Sequence, residues 1–332
     1  MIEVIAAGPL MTVQDLGRPS ARRYGVSSGG ALDAFALAAA NRLVGNSPNA
    51  AGIEITAGGA VLRLRRPAII ALTGGDLGAS LDGRTIPLWT AILADAGATL
   101  RLTNRYAAWG ARAYLAVAGG VNVPVVLRSR ATDLAGGFGG MEGRALRAGD
   151  LLPMGEPLAR MVPTVGQYWP ESARPAYAAD PTLRFIPGPH VEYFALGTLV
   201  ALAAVNLRIS ATSNRMGYRL EGLHLAYARP CSLPSLGVVP GSIQVPPDGT
   251  PILLMADAQT TGGYPVVGTL ISADLPLAAQ LLPGDSLRLT PTTLSGAYAA
   301  LYTQAVALAR SPESSEGDLL VALAGAACDC GL

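Results

Sequence analysis

Pro67-Ala-Ile-Ile-Ala-Leu-Thr-Gly-Gly-Asp76 is an apolar run that reaches a glycine-containing, acidic turn, and Pro251-Ile-Leu-Leu-Met-Ala-Asp257 repeats that design. Two further echoes flank it. Gly97-Ala-Thr-Leu-Arg-Leu102 returns as Gly284-Asp-Ser-Leu-Arg-Leu289, and Gly8-Pro9 returns as Gly188-Pro189. The offsets are 180, 184 and 187 residues, in order along the chain. Short apolar runs bounded by Pro and Gly fit strands of a sheet core. Three such echoes at slowly growing spacing indicate an internal duplication. Tyr168-Trp-Pro-Glu-Ser-Ala-Arg-Pro-Ala-Tyr-Ala-Ala-Asp-Pro181, with its three prolines, reads as the linker. The expected domains are therefore 1–180 and 181–332.

Most of the remainder also reads as strands. Ala60-Val-Leu-Arg-Leu-Arg-Arg66 alternates with period two, and Arg112-Ala-Tyr-Leu-Ala-Val-Ala118 is a continuous apolar run suited to a core. Three helices are expected. Leu32, Phe35, Ala36, Ala39 and Leu43 share one helical face, with Gly45 as the stop. Val191 to Val205 is apolar on nearly all sides and is expected to be a buried helix. Ser295 is expected to cap a third, whose stripe is Tyr298, Leu301, Tyr302 and Ala305 before Ser311-Pro312. The pattern describes a mainly β protein of two barrel-like domains with a few inserted helices.

Half of the 332 residues are hydrophobic and the net charge is +1, which suits a large core and leaves no field for nucleic acid or a membrane surface. All 24 basic residues are arginines. A chain without lysine forms no Schiff base, carries no biotin and has no phosphate-loop lysine. Cys231, Cys328 and Cys330 lack paired spacing, which fits a reducing compartment, and no metal site is expected from Cys328-Asp-Cys330. Met1-Ile-Glu-Val has no basic leader and no apolar run reaches about 18 residues, so a cytoplasmic location is expected.

Three clusters carry candidate chemistry. Thr12-Val-Gln-Asp-Leu-Gly-Arg18 precedes Gly25-Val-Ser-Ser-Gly-Gly-Ala-Leu-Asp33, which places Gln14, Asp15 and Arg18 at the entry to a helix. This is either an anion site at a helix N-terminus or a capped turn with Asp15 paired to Arg18. Ser213-Asn-Arg-Met-Gly-Tyr-Arg-Leu-Glu221 offers Arg215 and Arg219, which a strand would put on one side as a grip for carboxylate or phosphate, or as a solvated pair. Pro240-Gly-Ser-Ile-Gln-Val-Pro-Pro-Asp-Gly249 and Asp257-Ala-Gln-Thr-Thr-Gly-Gly-Tyr-Pro265 supply Gln244, Asp257, Gln259, Thr260, Thr261 and Tyr264 beside tight turns. Gly136-Gly-Phe-Gly-Gly-Met-Glu-Gly143 lacks the ending of a phosphate loop and reads as a flexible surface loop. His190 and His224 stand apart from any nucleophile motif.

Taken in order, TVQDLGR, GVSSGGALD, IPGP, SNRMGYRLEG, GSIQVPPDG and QTTGGYP resemble the biotin-dependent carboxyltransferase family, also called allophanate hydrolase subunit 2. The resemblance spans nearly the whole chain. It implies cyclophilin-like β-barrels and the role of the C subunit in an ATP-dependent 5-oxoprolinase that cleaves 5-oxo-L-proline to L-glutamate. Its partners would be an A subunit and also a KipI-like B subunit, with ATP used by the complex. Two other roles within the family are a urea carboxylase-like carboxyltransferase component and a KipA-like antagonist of a histidine-kinase inhibitor. The chemistry implied assigns Arg215 and Arg219 to holding anionic charge and Asp257 to acid/base work. Gln14, Asp15, Arg18, Gln244, Gln259, Thr260, Thr261 and Tyr264 would bind an amide or lactam substrate. The chain departs from the family pattern at Arg128 and Ala131, where Gly and Ser are usual, at Leu236, where Glu is usual, and at Ala258, where a basic residue is usual.

Overall fold

The computed structural model describes residues 1–105, 109–157, 164–229 and 233–314, and the three cysteines lie outside them. In the first half, Ile2–Ala7 pairs with Leu151–Leu152 and Gly58–Leu64 in a six-stranded antiparallel sheet. Thr99–Asn104, Ala79–Leu81 and Arg84–Thr85 complete it. A five-stranded sheet follows the order Leu10–Gln14, Gly52–Thr56, Arg112–Val117, Ala68–Gly74, Ala91–Ala94. Gly58–Leu64 alternates between buried and more exposed positions, as its period-two sequence requires. Gly52–Thr56 and Arg112–Val117 are buried along their whole lengths, which is why no alternation is visible there.

In the second half seven strands close a barrel: Thr182–Pro187, Val266–Leu270, Ser242–Gln244, Ile252–Leu254, Gly217–Glu221, Leu207–Ile209 and Ser286–Pro291. The ring is antiparallel except where Thr182–Pro187 meets Ser286–Pro291. Closure removes the exposed edges that an open sheet would carry. One apolar core fills the space among the first-half strands, from Ile2 to Leu152. A second fills the barrel, from Leu183 to Leu289, and takes one residue, Leu32, from the first half.

Two of the three sequence echoes land at corresponding places. Gly97 and Gly284 adopt φ +87° and +95°, and their N–H groups bond Leu64 and Ile209. Gly8 and Gly188 each follow the first strand of a half. Strand order is not repeated, however. Ala68–Gly74 pairs with Arg112–Val117 and Ala91–Ala94, whereas Ile252–Leu254 pairs with Gly217–Glu221 and Ser242–Gln244.

Helix α1 (Ala34–Leu43) forms as its periodicity predicts, with Asp33 accepting from the Ala36 N–H at 2.9 Å. The expected buried helix over Val191 to Val205 is a short 3-10 turn, Val191–Tyr193, then α2 (Thr198–Ala204). Gly197, at φ +84°, separates them, and Leu196 and Val200 face solvent because α2 lies on the barrel surface. Helix α3 (Leu275–Ala279) has no counterpart in the sequence reading. Thr293, not Ser295, caps α4 (Leu294–Ala309), since its hydroxyl accepts from Gly296. The linker is held down rather than loose. Trp169 is buried edge-on to Phe35, and Arg174 stacks on Trp89. No helix among the described residues is long and apolar enough to cross a membrane.

Val126 and Ser129 exchange both backbone hydrogen bonds around Leu127 and Arg128, which adopt φ +52° and +68°. Positive φ at both central positions defines a type I′ turn, which favours Gly at the second. Arg128 occupies the position where the family pattern has Gly. Arg128→Gly should relieve about 1 kcal/mol of left-handed strain against roughly 0.5 kcal/mol of added chain entropy. The expected result is a higher urea midpoint, equivalent to about 0.5 kcal/mol. A lower midpoint would contradict this turn assignment.

Candidate functional site

The three sequence clusters meet where the two halves of the chain touch, and the Arg215 guanidinium lies at the meeting point. Nε and Nη2 donate to the two carboxylate oxygens of Asp257 at 2.8 and 3.0 Å. Nη2 also donates to the Gly30 carbonyl at 2.6 Å, and Nη1 donates to Glu54 of the first half. Glu54 in turn accepts from the Leu32 N–H and the Tyr114 hydroxyl, both at 2.9 Å. Arg112 lies 3.9 Å from Glu54 and donates to the Tyr218 hydroxyl at 3.1 Å. All these charged side chains are buried. Burial alone would lower the Arg215 pKa, but Glu54 and Asp257 outweigh it and hold the guanidinium above its ordinary value. Burial raises Glu54, and Arg215 and Arg112 more than reverse that, so Glu54 stays ionised. Asp257 is raised by burial, with Arg215 acting against the shift.

Arg215 and Arg219 therefore do not form one anion grip. Arg215 precedes the strand Gly217–Glu221, so the two-sidedness of a strand does not relate them. Arg219 is half-exposed and meets Asp248 at 3.3 Å. Arg215 has its donors committed to Asp257, Glu54 and Gly30, which makes it a tie between halves rather than a free cation. Asp257 likewise has both oxygens on Arg215.

Beside this tie, Asp15 and Arg18 are both buried and neither bonds the other. Asp15 accepts from Gly17 N–H (2.8 Å), the Ser129 hydroxyl (2.7 Å) and Arg130 N–H (2.6 Å). Gln14 donates to Thr12 and to the Thr132 carbonyl. Arg18 donates through Nη2 to the Ala131 carbonyl and lies 4.9 Å above the Phe138 ring. Its Nε and Nη1 make no hydrogen bond to the protein. Burial lowers its pKa, opposed by Asp133, Asp15 and Asp257.

The Gly136–Gly143 segment is not a loose surface loop. Gly139 and Gly140 are buried, and Phe138 is the face on which Arg18 stacks. N–H groups of Gly136, Gly137, Gly140 and Gly143 bond Asp133, Arg130 and Gly139, so the loop presents no cradle for a phosphate. Asp133 accepts from the Ser27 hydroxyl at 2.7 Å. The sequence motifs do not single out Ser129, Thr132, Asp133 or Phe138. Their signal lies in the segment 127–143, whose glycines resemble a disordered loop more than a wall.

Apart from Asp257, the third cluster forms a patch beside this tie. Gln259 donates to Gln244 at 3.2 Å, and Gln244 donates to the Tyr264 carbonyl at 3.3 Å. Thr261–Gly262 pairs with Leu236–Gly237, the Thr260 carbonyl accepts from the Val238 N–H, and Tyr264 is half-exposed. Ala258 is buried against Val238, Leu254 and Val266, so the position of the family pattern's basic residue is apolar here. The patch joins the first cluster through main chain: Gly29 N–H bonds the Ala256 carbonyl, and Arg22 donates to the Val238 carbonyl. His190 and His224 bond the backbone of Val266 and Asp248.

Asp33 adds a titratable group to the same junction. It accepts from Tyr177 at 2.7 Å and from Gln280 at 2.8 Å, and burial raises its pKa to about 6. A carboxyl that holds its proton more tightly when folded contributes stability below about pH 4, lost as the pH rises through about 6. The wild type should show this loss with a slope of at most about 1.4 kcal/mol per pH unit. Asp33→Asn should flatten the stability profile across that window, whatever its constant offset. An unchanged slope would remove Asp33 as the titrating group. Arg215→Met leaves buried Asp257 without its arginine and Glu54 with only Arg112, 3.9 Å away, and should cost about 3–5 kcal/mol, whereas Arg219→Met should stay within about 0.5 kcal/mol. Equal effects in chemical denaturation would contradict the assignment of the tie to Arg215.

Residues 24–291 match the carboxyltransferase domain family, subdomains A and B. The chain is 40% identical to the C subunit of 5-oxoprolinase from Escherichia coli (strain K12) over 307 residues, covering 92% of this chain and 95% of that protein. It is 34% identical to a putative urea carboxylase of Emericella nidulans over 88% of its length, spanning only 24% of that protein. The crystal structure of the K. lactis urea amidolyase superposes with a TM-score of 0.87 at 27% identity, covering 96% of this chain and 20% of that one. The length matched, the order of motifs and the barrel agree, and the chain belongs to the carboxyltransferase domain family.

Proposed function

We propose that this chain is the C subunit of an ATP-dependent 5-oxoprolinase that opens 5-oxo-L-proline to L-glutamate, and that it works in the cytoplasm. The observation that carries this reading is the 40% identity to its E. coli counterpart over nearly both full lengths. A lactam is an unreactive amide, and opening it needs donors for the carbonyl oxygen and a group to move protons. Arg18, with two nitrogens unbonded to protein, supplies donors beside Asp133. Arg215 and Asp257 act at one remove in this reading, by fixing Gly30 and the chain around it. In this reading Gln14 and Asp15 hold the 129–132 segment beside Arg18, and Gln244, Gln259, Thr260, Thr261 and Tyr264 act from the neighbouring patch.

The 136–143 loop does not fit the phosphates of ATP. Lysine is absent from the sequence, and the N–H groups of the 136–143 loop named above bond the protein itself. In this reading ATP is used by the complex, whose other chains are an A subunit and a KipI-like B subunit. Biotin has no lysine here to be attached to. The same logic makes activity a property of the complex. The division into domains 1–180 and 181–332 is part of this proposal, supported by the separate cores of strands before and after that point.

A carboxyltransferase component acting on urea is the second reading, favoured by the similarity to urea carboxylase over most of the chain. Co-expression with the neighbouring subunits and measurement of ATP hydrolysis separates the two. Stimulation by 5-oxo-L-proline with release of glutamate is expected. Stimulation by urea alone would replace the first reading with the second.

A further inference from the structure

Helix α4 (Leu294–Ala309) carries no charged side chain, and none of its 16 residues is buried. Leu294, Tyr298, Leu301, Tyr302 and Ala305 recur at helical spacing and share one face, with Val306 at its edge. A stripe of this kind ordinarily packs into a core. Here it faces solvent: Tyr298 is 63% exposed and Tyr302 72%, and Leu294, Leu301 and Val306 are exposed too. Another side of the helix already holds it to the protein. Ala307 and Leu308 pack on the core around Phe35, Gln304 Nε2 donates to the Ala273 carbonyl at 3.2 Å, and Arg42 donates to the Ala309 carbonyl at 3.3 Å. The outer stripe is therefore apolar surface that the fold itself does not use. Gln304 and Leu308 also line a partly open apolar cavity of about 340 Å³, with Leu16, Phe35, Met255 and Leu275. Leu301 is three residues before Gln304 and seven before Leu308, so the stripe runs on into the cavity.

The chemistry and size of this surface select its occupant. A face of tyrosine and aliphatic side chains without a charge along its length matches the centre of a protein interface rather than ordinary surface. A charged peptide or an ion would find no opposite charge on α4. A helix of this length is about 24 Å long, and a strip of it about 10 Å wide offers roughly 240 Å². A two-fold contact of stripe on stripe between copies would fall far short of the roughly 800 Å² per side of a stable interface. The occupant must extend beyond the helix, and the cavity gives it a place to insert a side chain. We propose that α4 and the adjoining cavity are the docking surface for a partner subunit, one whose contact face is uncharged and seats a bulky apolar side chain in the cavity. This rests on the reading of the chain as one subunit of a complex and adds where a neighbour is held.

The test is hydroxyl-radical footprinting of Tyr298 and Tyr302, read by mass spectrometry, on the full chain alone and in complex with its co-expressed A and B subunits. Both tyrosines should label in the monomeric chain and be protected roughly five-fold or more in the complex. Tyr298→Glu and Tyr302→Glu, at exposed positions, should fold as wild type and each raise the dissociation constant of the complex roughly ten-fold or more. Leu196→Glu, on the barrel surface, should leave it within about two-fold. Equal labelling with and without partners, unchanged affinity in both tyrosine variants, or no complex with either subunit would overturn the proposal. Tyrosines already protected in the chain alone would overturn it too. Light scattering would then name the occupant, a second copy if the chain is a dimer and its own residues 315–332 if it is a monomer. A complex held through α4 that responds to urea would keep this proposal and remove the 5-oxoproline reading. Turnover of 5-oxoproline by a complex whose α4 tyrosines still label would do the reverse.

Discussion

Arg215 of the second half is clamped between Asp257, from its own half, and Glu54, from the first half, with Nη2 also donating to the Gly30 carbonyl. A buried guanidinium is costly to desolvate, and it persists only where its partners are fixed and close. Here they are. Glu54 is held by Leu32 and Tyr114, and Tyr114 is held by the Asp33 N–H. The same side chains set the path of residues 29–33 into α1. The arrangement thus serves placement more than stability, since an apolar substitute of equal volume would pack without setting the path of the chain.

That placement is what gives Arg18 its setting. Gly29 is bonded to Ala256 and Gly30 to Arg215, so the backbone facing Arg18 Nη1 is anchored to the second half on two successive residues. The opposite wall, Ala131 to Phe138, is held to the first half through Asp15, Ser129 and Thr132. The candidate site is therefore a seam. One wall answers to each half, and the geometry between them depends on the buried charges behind Gly30.

Much of the architecture is legible in the sequence because strands and turns leave local marks. The alternation of Ala60–Arg66, the face of α1 and the paired glycines Gly97 and Gly284 are all short-range signals. The Val191 to Val205 stretch misleads because apolar composition does not reveal which side a surface helix presents, and Gly197 breaks it. Arg215 stands out as chemistry yet reads as a free cation. Nothing near it in sequence shows that Glu54, far along the chain, lies against it. Asp133 and Phe138 escape notice for the same reason: a glycine-rich loop looks mobile until a buried arginine is packed on it.

The central claim is that Arg215 transmits order across the seam to residues 29–32. Native-state hydrogen exchange on Arg215→Met, compared with wild type, tests it most directly. The account predicts that the amides of Gly29 and Leu32 lose protection, while Leu115 in the first-half sheet and Ile243 in the barrel keep theirs relative to each variant's global stability. Unchanged protection at Gly29 and Leu32, or a uniform loss across all four amides, would contradict it.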